Sequence, residues 1–207
     1  MSSLKVAPAQ SFNERLEAQL QYMDRNKVDH ANVEAVLTRP ESYNSTWYVK
    51  EWYPGSNIVT DEGDKYYSIK AVGGTPATNE NFIQAQCELA NPGSQTAQAK
   101  TDTYGTMLTP ITASRKAISA TYPLRTGATD DTDNTGGGSG ASSDIVSYKY
   151  SWTTGDFNAT GIKNGCLHDN ASPVSGTKLL THFGVTTFTK DSSSTLKVFV
   201  NHTMNGT

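Results

Sequence analysis

The chain lacks a surplus of positive charge. Its 17 Lys and Arg face 20 Asp and Glu, for a net charge of −3, and no basic block interrupts the pattern. Nucleic acids are held by clustered cations that displace counterions, so no nucleic-acid partner is expected. Cysteine is scarce too: Cys87 and Cys166 are too few for a disulfide framework and too far apart for a CxxC motif, which leaves open one long-range bridge between them. No stretch approaches the roughly 18 apolar residues that a membrane span needs, and the first ten residues, MSSLKVAPAQ, hold no apolar core of signal-peptide type. Synthesis in a cytoplasm and no membrane association are therefore expected. The Asn-x-Ser/Thr triplets at Asn44, Asn158, Asn170, Asn201 and Asn205 then reflect an abundance of Asn and Thr, not glycosylation.

Catalytic signatures are missing as well. There is no Gly-x-Ser-x-Gly elbow, no His-Glu-x-x-His and no phosphate loop. The four histidines are His30, His168, His182 and His202; a zinc site would need three ligands brought together by the fold, which their spacing does not supply. Glu51, Asp61, Glu62 and Asp64 border aromatic segments as the carboxylates of a glycosidase would, yet acids beside turns are ordinary solvated residues. No catalytic, cofactor-binding or metal-ligating residue is assigned, no cofactor is implied, and an enzyme is not expected.

What the chain does have is 35% apolar residues, 17 Gly, 10 Tyr and a wealth of Thr and Ser, the composition of a mainly β protein. The clearest helical signal comes first, in SFNERLEAQLQYMDR: Ser11 and Glu14 form a capping box, and Phe12, Leu16, Leu20 and Met23 make one apolar stripe. A helix of this length is marginal alone, so its stripe must rest on the β-domain or on a neighbouring subunit. NKVDHANVEAVLTRP reads as a second short helix with Asn32 as cap, Val33, Val36 and Leu37 facing inwards, and Pro40 as its end.

From Tyr43 the period changes to two. STWYVKEWYPG reads as a strand stopped by a Pro54-Gly55 turn, SNIVTDEGD as a loop, and DKYYSIKAVGG as a second strand ended at Gly73-Gly74. NFIQAQCELAN reads as a strand or short helix, and ITASRKAISATY as a strand with Arg115 and Lys116 near its middle. Residues 126–144, TGATDDTDNTGGGSGASSD, read as a long exposed loop. Within it Asp131, Asp133, Asn134 and Gly136 look like the start of a calcium loop, but the position of the closing Glu is Ser142, so a solvated loop is the favoured reading.

The β pattern restarts at SSDIVSYKYSW, where Val146, Tyr148, Tyr150 and Trp152 share one face. These rings, with Trp47 and Trp52, are either a sugar-stacking platform or the packed inner side of a sandwich, the latter favoured. Finally LLTHFGVTTFTK and STLKVFVNHTM read as a hairpin around the tip DSSS, with His182 and His202 facing each other across it.

The stretch from Asp144 to His202, about the last third of the chain, resembles the C-terminal β-domain of structural proteins from tailed bacteriophages. The residues that carry the likeness are Phe157, Asn158 and Ala159, Leu179 and Leu180, Lys190 and Asp191, and Thr195, Leu196 and Val198. The likeness brings no catalytic or ligand residue, and the first 120 residues match no named group. It implies a virion component made in the host cytoplasm that acts by self-association and by docking to other virion proteins of the capsid, neck or tail. A tail-fibre module that binds a receptor or carbohydrate is the alternative. The expected architecture is an antiparallel β-sandwich of jelly-roll type over residues 41–207, preceded by an N-terminal arm with its amphipathic helix over residues 1–40.

Overall fold

The computed structural model describes residues 3–6, 33–40, 48–91, 97–107, 109–125, 131, 133–134 and 145–204. The helix expected over residues 11–25 lies outside them, as does Trp47. The described residues form mainly antiparallel strands, β1 (Ser3–Val6), β2 (Val33–Pro40), β3 (Tyr48–Val59), β4 (Gln86–Ala90), β5 (Leu124–Arg125), β6 (Ile145–Trp152), β7 (Ala159–His168), β8 (Leu179–Lys190) and β9 (Thr195–Thr203), and, among those residues, one α-helix, α1 (Asp61–Ala71). They make one curled sheet in the order β4-β7-β8-β3-β2-β9-β6-β5, with β1 added on β3. Among the described residues no helix is long and apolar enough to cross a membrane.

The curl closes on a single core. Val33, Ala35 and Leu37 of β2, Leu196, Val198 and Val200 of β9, and Tyr148, Tyr150 and Trp152 of β6 face Leu89 of β4, Ile162 and Leu167 of β7 and Phe183 and Phe188 of β8. Two polar contacts tie the two arms together across this core. The Tyr150 hydroxyl donates to the Ala85 carbonyl at 2.8 Å, and Trp152 Nε1 donates to the Ser114 carbonyl at 2.8 Å. Buried rings with one polar atom each need such partners, and here the partners are backbone groups of the facing arm.

Five local readings are corrected. The second N-terminal helix is instead strand β2, set between β3 and β9. Its outer face is buried as well, Val36 packing with Trp52 and Phe199 and Glu34 buried beside them, so the exposed phase that marks a half-buried strand is lost. The strand expected in DKYYSIKAVGG is α1, capped by Thr60, whose hydroxyl accepts from Gly63 N at 3.1 Å, with Asp61, Glu62 and Asp64 in its first turn and Gly73 at φ +74° just past its end. Two Tyr in a row fitted either period: Tyr66 packs on Phe82, and Tyr67 reaches β9.

Pro54-Gly55 is not a turn. β3 runs straight through it, because β2 pairs along Tyr48–Gly55 on one edge while β8 takes Gly55–Val59 on the other. Gly55 is the crossing point. A Cβ there would lie 2.0 Å from the Gly184 carbonyl oxygen, a distance no side chain tolerates.

The last hairpin is an arch. Its tip forms as expected, with Asp191 accepting from Ser193 N at 2.9 Å. Yet β8 and β9 are not neighbours, since β3 and β2 lie between them in the sheet. β8 leaves β3 after Val185 and crosses the core, where Phe188 stacks on Tyr53 at 4.9 Å.

The strand expected around Arg115 and Lys116 is an irregular segment with a different task. Its residues cover both ends of the sheet: Lys116 exchanges two backbone hydrogen bonds of 2.9 Å with Cys87 of β4, while Ser119 N donates to Lys149 O of β6 at 2.8 Å and Leu124 pairs with Ser147. One segment thus shields two edges that would otherwise invite another strand.

Candidate functional site

Polar side chains gather at three buried places, and each is built from separate parts of the chain. The largest lies on the outer face of β3, β9 and β6. Lys50, Lys197 and Lys149 sit on that face because each falls on the phase opposite to the core residues of its strand. Asp131 and Asp133 are laid over them. Lys197 Nζ meets Asp131 Oδ2 and Asp133 Oδ2 at 2.9 Å each, Lys149 Nζ meets Asp131 Oδ2 at 2.9 Å, and Lys50 Nζ meets Asp133 Oδ1 at 2.7 Å. Beside them Asn134 and Asn201 exchange amide hydrogen bonds, and the Ser147 hydroxyl donates to Asn201 Oδ1 at 2.7 Å.

This corrects the reading of residues 126–144 as a solvated loop at the three positions described: Asp131, Asp133 and Asn134 are all buried. Burial alone would raise the Asp131 carboxyl, but Lys197, the Asp133 N–H and Lys149 outweigh it and hold it at about 2. The Asp131 and Asp133 oxygens of the calcium-like stretch are thus directed at ammonium groups, and Asn134 Oδ1 accepts from the Asn201 amide. Gly136 and Ser142 lie outside the described residues.

The second place is Glu88 on β4, whose carboxylate accepts from the Tyr104 hydroxyl at 2.8 Å and from Arg115 Nε at 2.8 Å, with His168 Nε2 at 3.5 Å. Burial opposes the charge, but these three neighbours win and the carboxyl is lowered. Arg115 also donates to the Ala171 carbonyl at 2.8 Å, so the cluster pins the edge segment to β4 and to the loop after β7. The third is His202 on β9. Its Nδ1 lies 2.6 Å from the Tyr67 hydroxyl of α1, which in turn lies 3.4 Å from the Tyr148 hydroxyl. Desolvation drives the His202 imidazole down to about 3, so it is neutral.

The histidines do not converge. His168 serves Glu88, His202 serves Tyr67, and His182 bonds Asp102 at 2.7 Å. His182 and His202 do not face each other, because their strands are not paired. His30 lies outside the described residues. Nor do the four acids form a pair: Glu51 accepts from Arg39 and from the Tyr53 hydroxyl at 2.6 Å each, Glu62 meets Lys178 at 3.2 Å, and Asp64 meets Lys100. Cys87 and Cys166 are free, buried thiols on opposite faces of the β4–β7 pair, since Cys87 stands opposite Leu167 and Glu88 opposite Cys166. A bridge between them is excluded by that geometry.

The ring platform is resolved in favour of packing for Trp52, Tyr148, Tyr150 and Trp152, all buried. A cleft of 470 Å³ opens where β3, β7 and β8 meet, lined by Ser56, Gln98, Lys163, Asn164 and Thr186 among others, and no aromatic side chain of the described residues lines it. The clasp of Asp131 and Asp133 was not legible in the sequence. Its one signal was a lysine on the outer phase of β3, β6 and β9, paired with an Asp-x-Asp in the segment just before β6. In these clusters the carboxylates are directed at ammonium, guanidinium and hydroxyl groups, whereas Nε2 of His168 and of His202 is buried without a hydrogen-bond partner among the described residues. Comparisons with protein-family models, with curated proteins and with solved structures found no match to this chain.

Proposed function

We propose that the protein is a structural component of a tailed-phage virion, in the capsid decoration, neck or proximal tail. It acts by self-association and by docking to other virion proteins, and its two sheet arms serve as the layers of a jelly-roll-like sandwich. The observation that carries this reading is where the likeness to phage structural proteins falls. Of the ten residues that carry it, Phe157, Leu180, Leu196 and Val198 are buried in the main core and Leu179 in a smaller cluster with Ala90, Met107 and Cys166, while Asn158, Asp191 and Thr195 are exposed. The likeness therefore concerns the framework of the fold, as expected of a scaffold whose work is done by area and symmetry.

The buried polar clusters support the same reading, because each fastens a loop or helix to the sheet and so stiffens the outer surface. A sugar-binding fibre module would need rings at the surface, and Trp52, Tyr148, Tyr150 and Trp152 are inside. The test is light scattering on the purified chain over a wide concentration range, together with mass spectrometry of intact particles. Oligomers and a fixed copy number per particle are expected. A chain that stays monomeric and is missing from particles would overturn the reading.

A further inference from the structure

Resting on self-association as proposed above, the geometry points to a strand exchange: we propose that β1 is swapped between copies, the β1 of one chain pairing with β3 of its neighbour. The argument begins with the two edges of β3. β2 occupies one edge along Tyr48–Gly55, so β8 and β1 must share the other, β8 on Gly55–Val59 and β1 on Tyr48–Glu51. β1 fills the place from which β8 has departed. Without it the backbone groups of Tyr48–Glu51 on that edge lack a strand partner among the described residues, and such edges recruit strands.

β1 is also the detachable part of the sheet. The hydrogen-bonded path from β4 to β5 is complete without it, and it pairs with β3 alone. Both ends of that path are shielded by residues 109–125, so an incoming strand finds its place at β3 and not at β4 or β6. The tether is long. Twenty-six residues separate Val6 from Val33 in the sequence. Exchange keeps the β1–β3 register intact while joining two copies, which makes it a low-cost route to assembly. If two copies exchange their strands reciprocally the product is a closed dimer, and if each gives to one neighbour and receives from another the contact is head-to-tail.

The register supplies the test. Val6 stands opposite Tyr48, which is exposed, while the native Cys87 and Cys166 are buried and on separate faces. The full chain is made as Val6→Cys and as Tyr48→Cys, the two are mixed under assembling conditions and oxidised, and disulfide-linked peptides are mapped. A 6–48 disulfide between two chains is expected in the mixture, and the double variant should give covalent oligomers on a non-reducing gel. If the double variant closes its bond within single chains while the protein is oligomeric, the exchange is wrong and self-association stands. If no oligomer forms, both fall. Should the first pair not fold, Lys5→Cys with Val49→Cys repeats the measurement at the neighbouring register position.

Discussion

The two faces of β2, β9 and β6 are both buried, yet they are buried in opposite ways. The inner face is apolar throughout, from Ala35 and Leu37 to Val198, Tyr150 and Trp152. The outer face mixes Val36, Trp52 and Phe199 with Lys197, Lys149, Ser147 and Asn201, and the charges there are matched by Asp131 and Asp133. An apolar face needs only shape and area to hold a partner layer, whereas a charged one holds a particular segment in a particular place. The inner face accordingly sets stability, and the outer face sets which loop lies where.

That contrast is broken most directly at Val198, fully buried between Ala35 of β2 and Tyr150 of β6. Val198→Asp places an unpaired carboxylate in the core and is expected to cost about 4 kcal/mol or more, read as loss of the cooperative melt. The next largest effect is on pH. His202 is neutral in the folded chain at about 3 and ordinary at 6.5 when unfolded, so the unfolded state takes up the proton first. Its contribution is fully present above pH 6.5 and is lost as pH falls towards 3. His202→Gln should flatten the melting temperature across that window. The Asp131 carboxyl, lowered from 3.8 to about 2, keeps its contribution above pH 3.8 and loses it below, so a second decline in the variant should begin only there.

On the outer face, Asp133→Ala frees Lys50 and halves the charge facing Lys197, both of which reach solvent, and is expected to cost about 1–3 kcal/mol. Denaturant midpoints would measure it, and a loss as large as that of Val198→Asp would erase the distinction between the faces. Ser193→Asp, at the exposed arch tip, removes a hydroxyl bond of 2.7 Å to Asp191 and adds a like charge, for at most about 1 kcal/mol in the same assay.

Strand β6, the arch tip and the aromatic inner face were legible because their signals are local: alternation at Tyr148, Tyr150 and Trp152, and Asp191 before three Ser. α1 was misread although Thr60, three acids and Gly73 bracket it, because Tyr66 and Tyr67 satisfy both periods. β2 was misread for the reverse reason, as burial on both sides erased its period. None of the candidate clusters could be seen in advance, since Asp131 and Lys197, or Glu88 and His168, meet only through long-range pairing.

By itself the sequence determined the class of the protein: a mainly β chain without a charge surplus, with aromatic rings on one side of β6 and polar turns where the chain reverses. Such properties are encoded within a few residues, where backbone sterics and side-chain phase act. Only the tertiary structure decided that β8 and β9 part to flank β3 and β2, that one irregular segment shields both sheet ends, and that Asp131 and Asp133 are buried against three lysines. Each of these joins residues far apart in the chain, and their partners are chosen by the packing of the whole sheet.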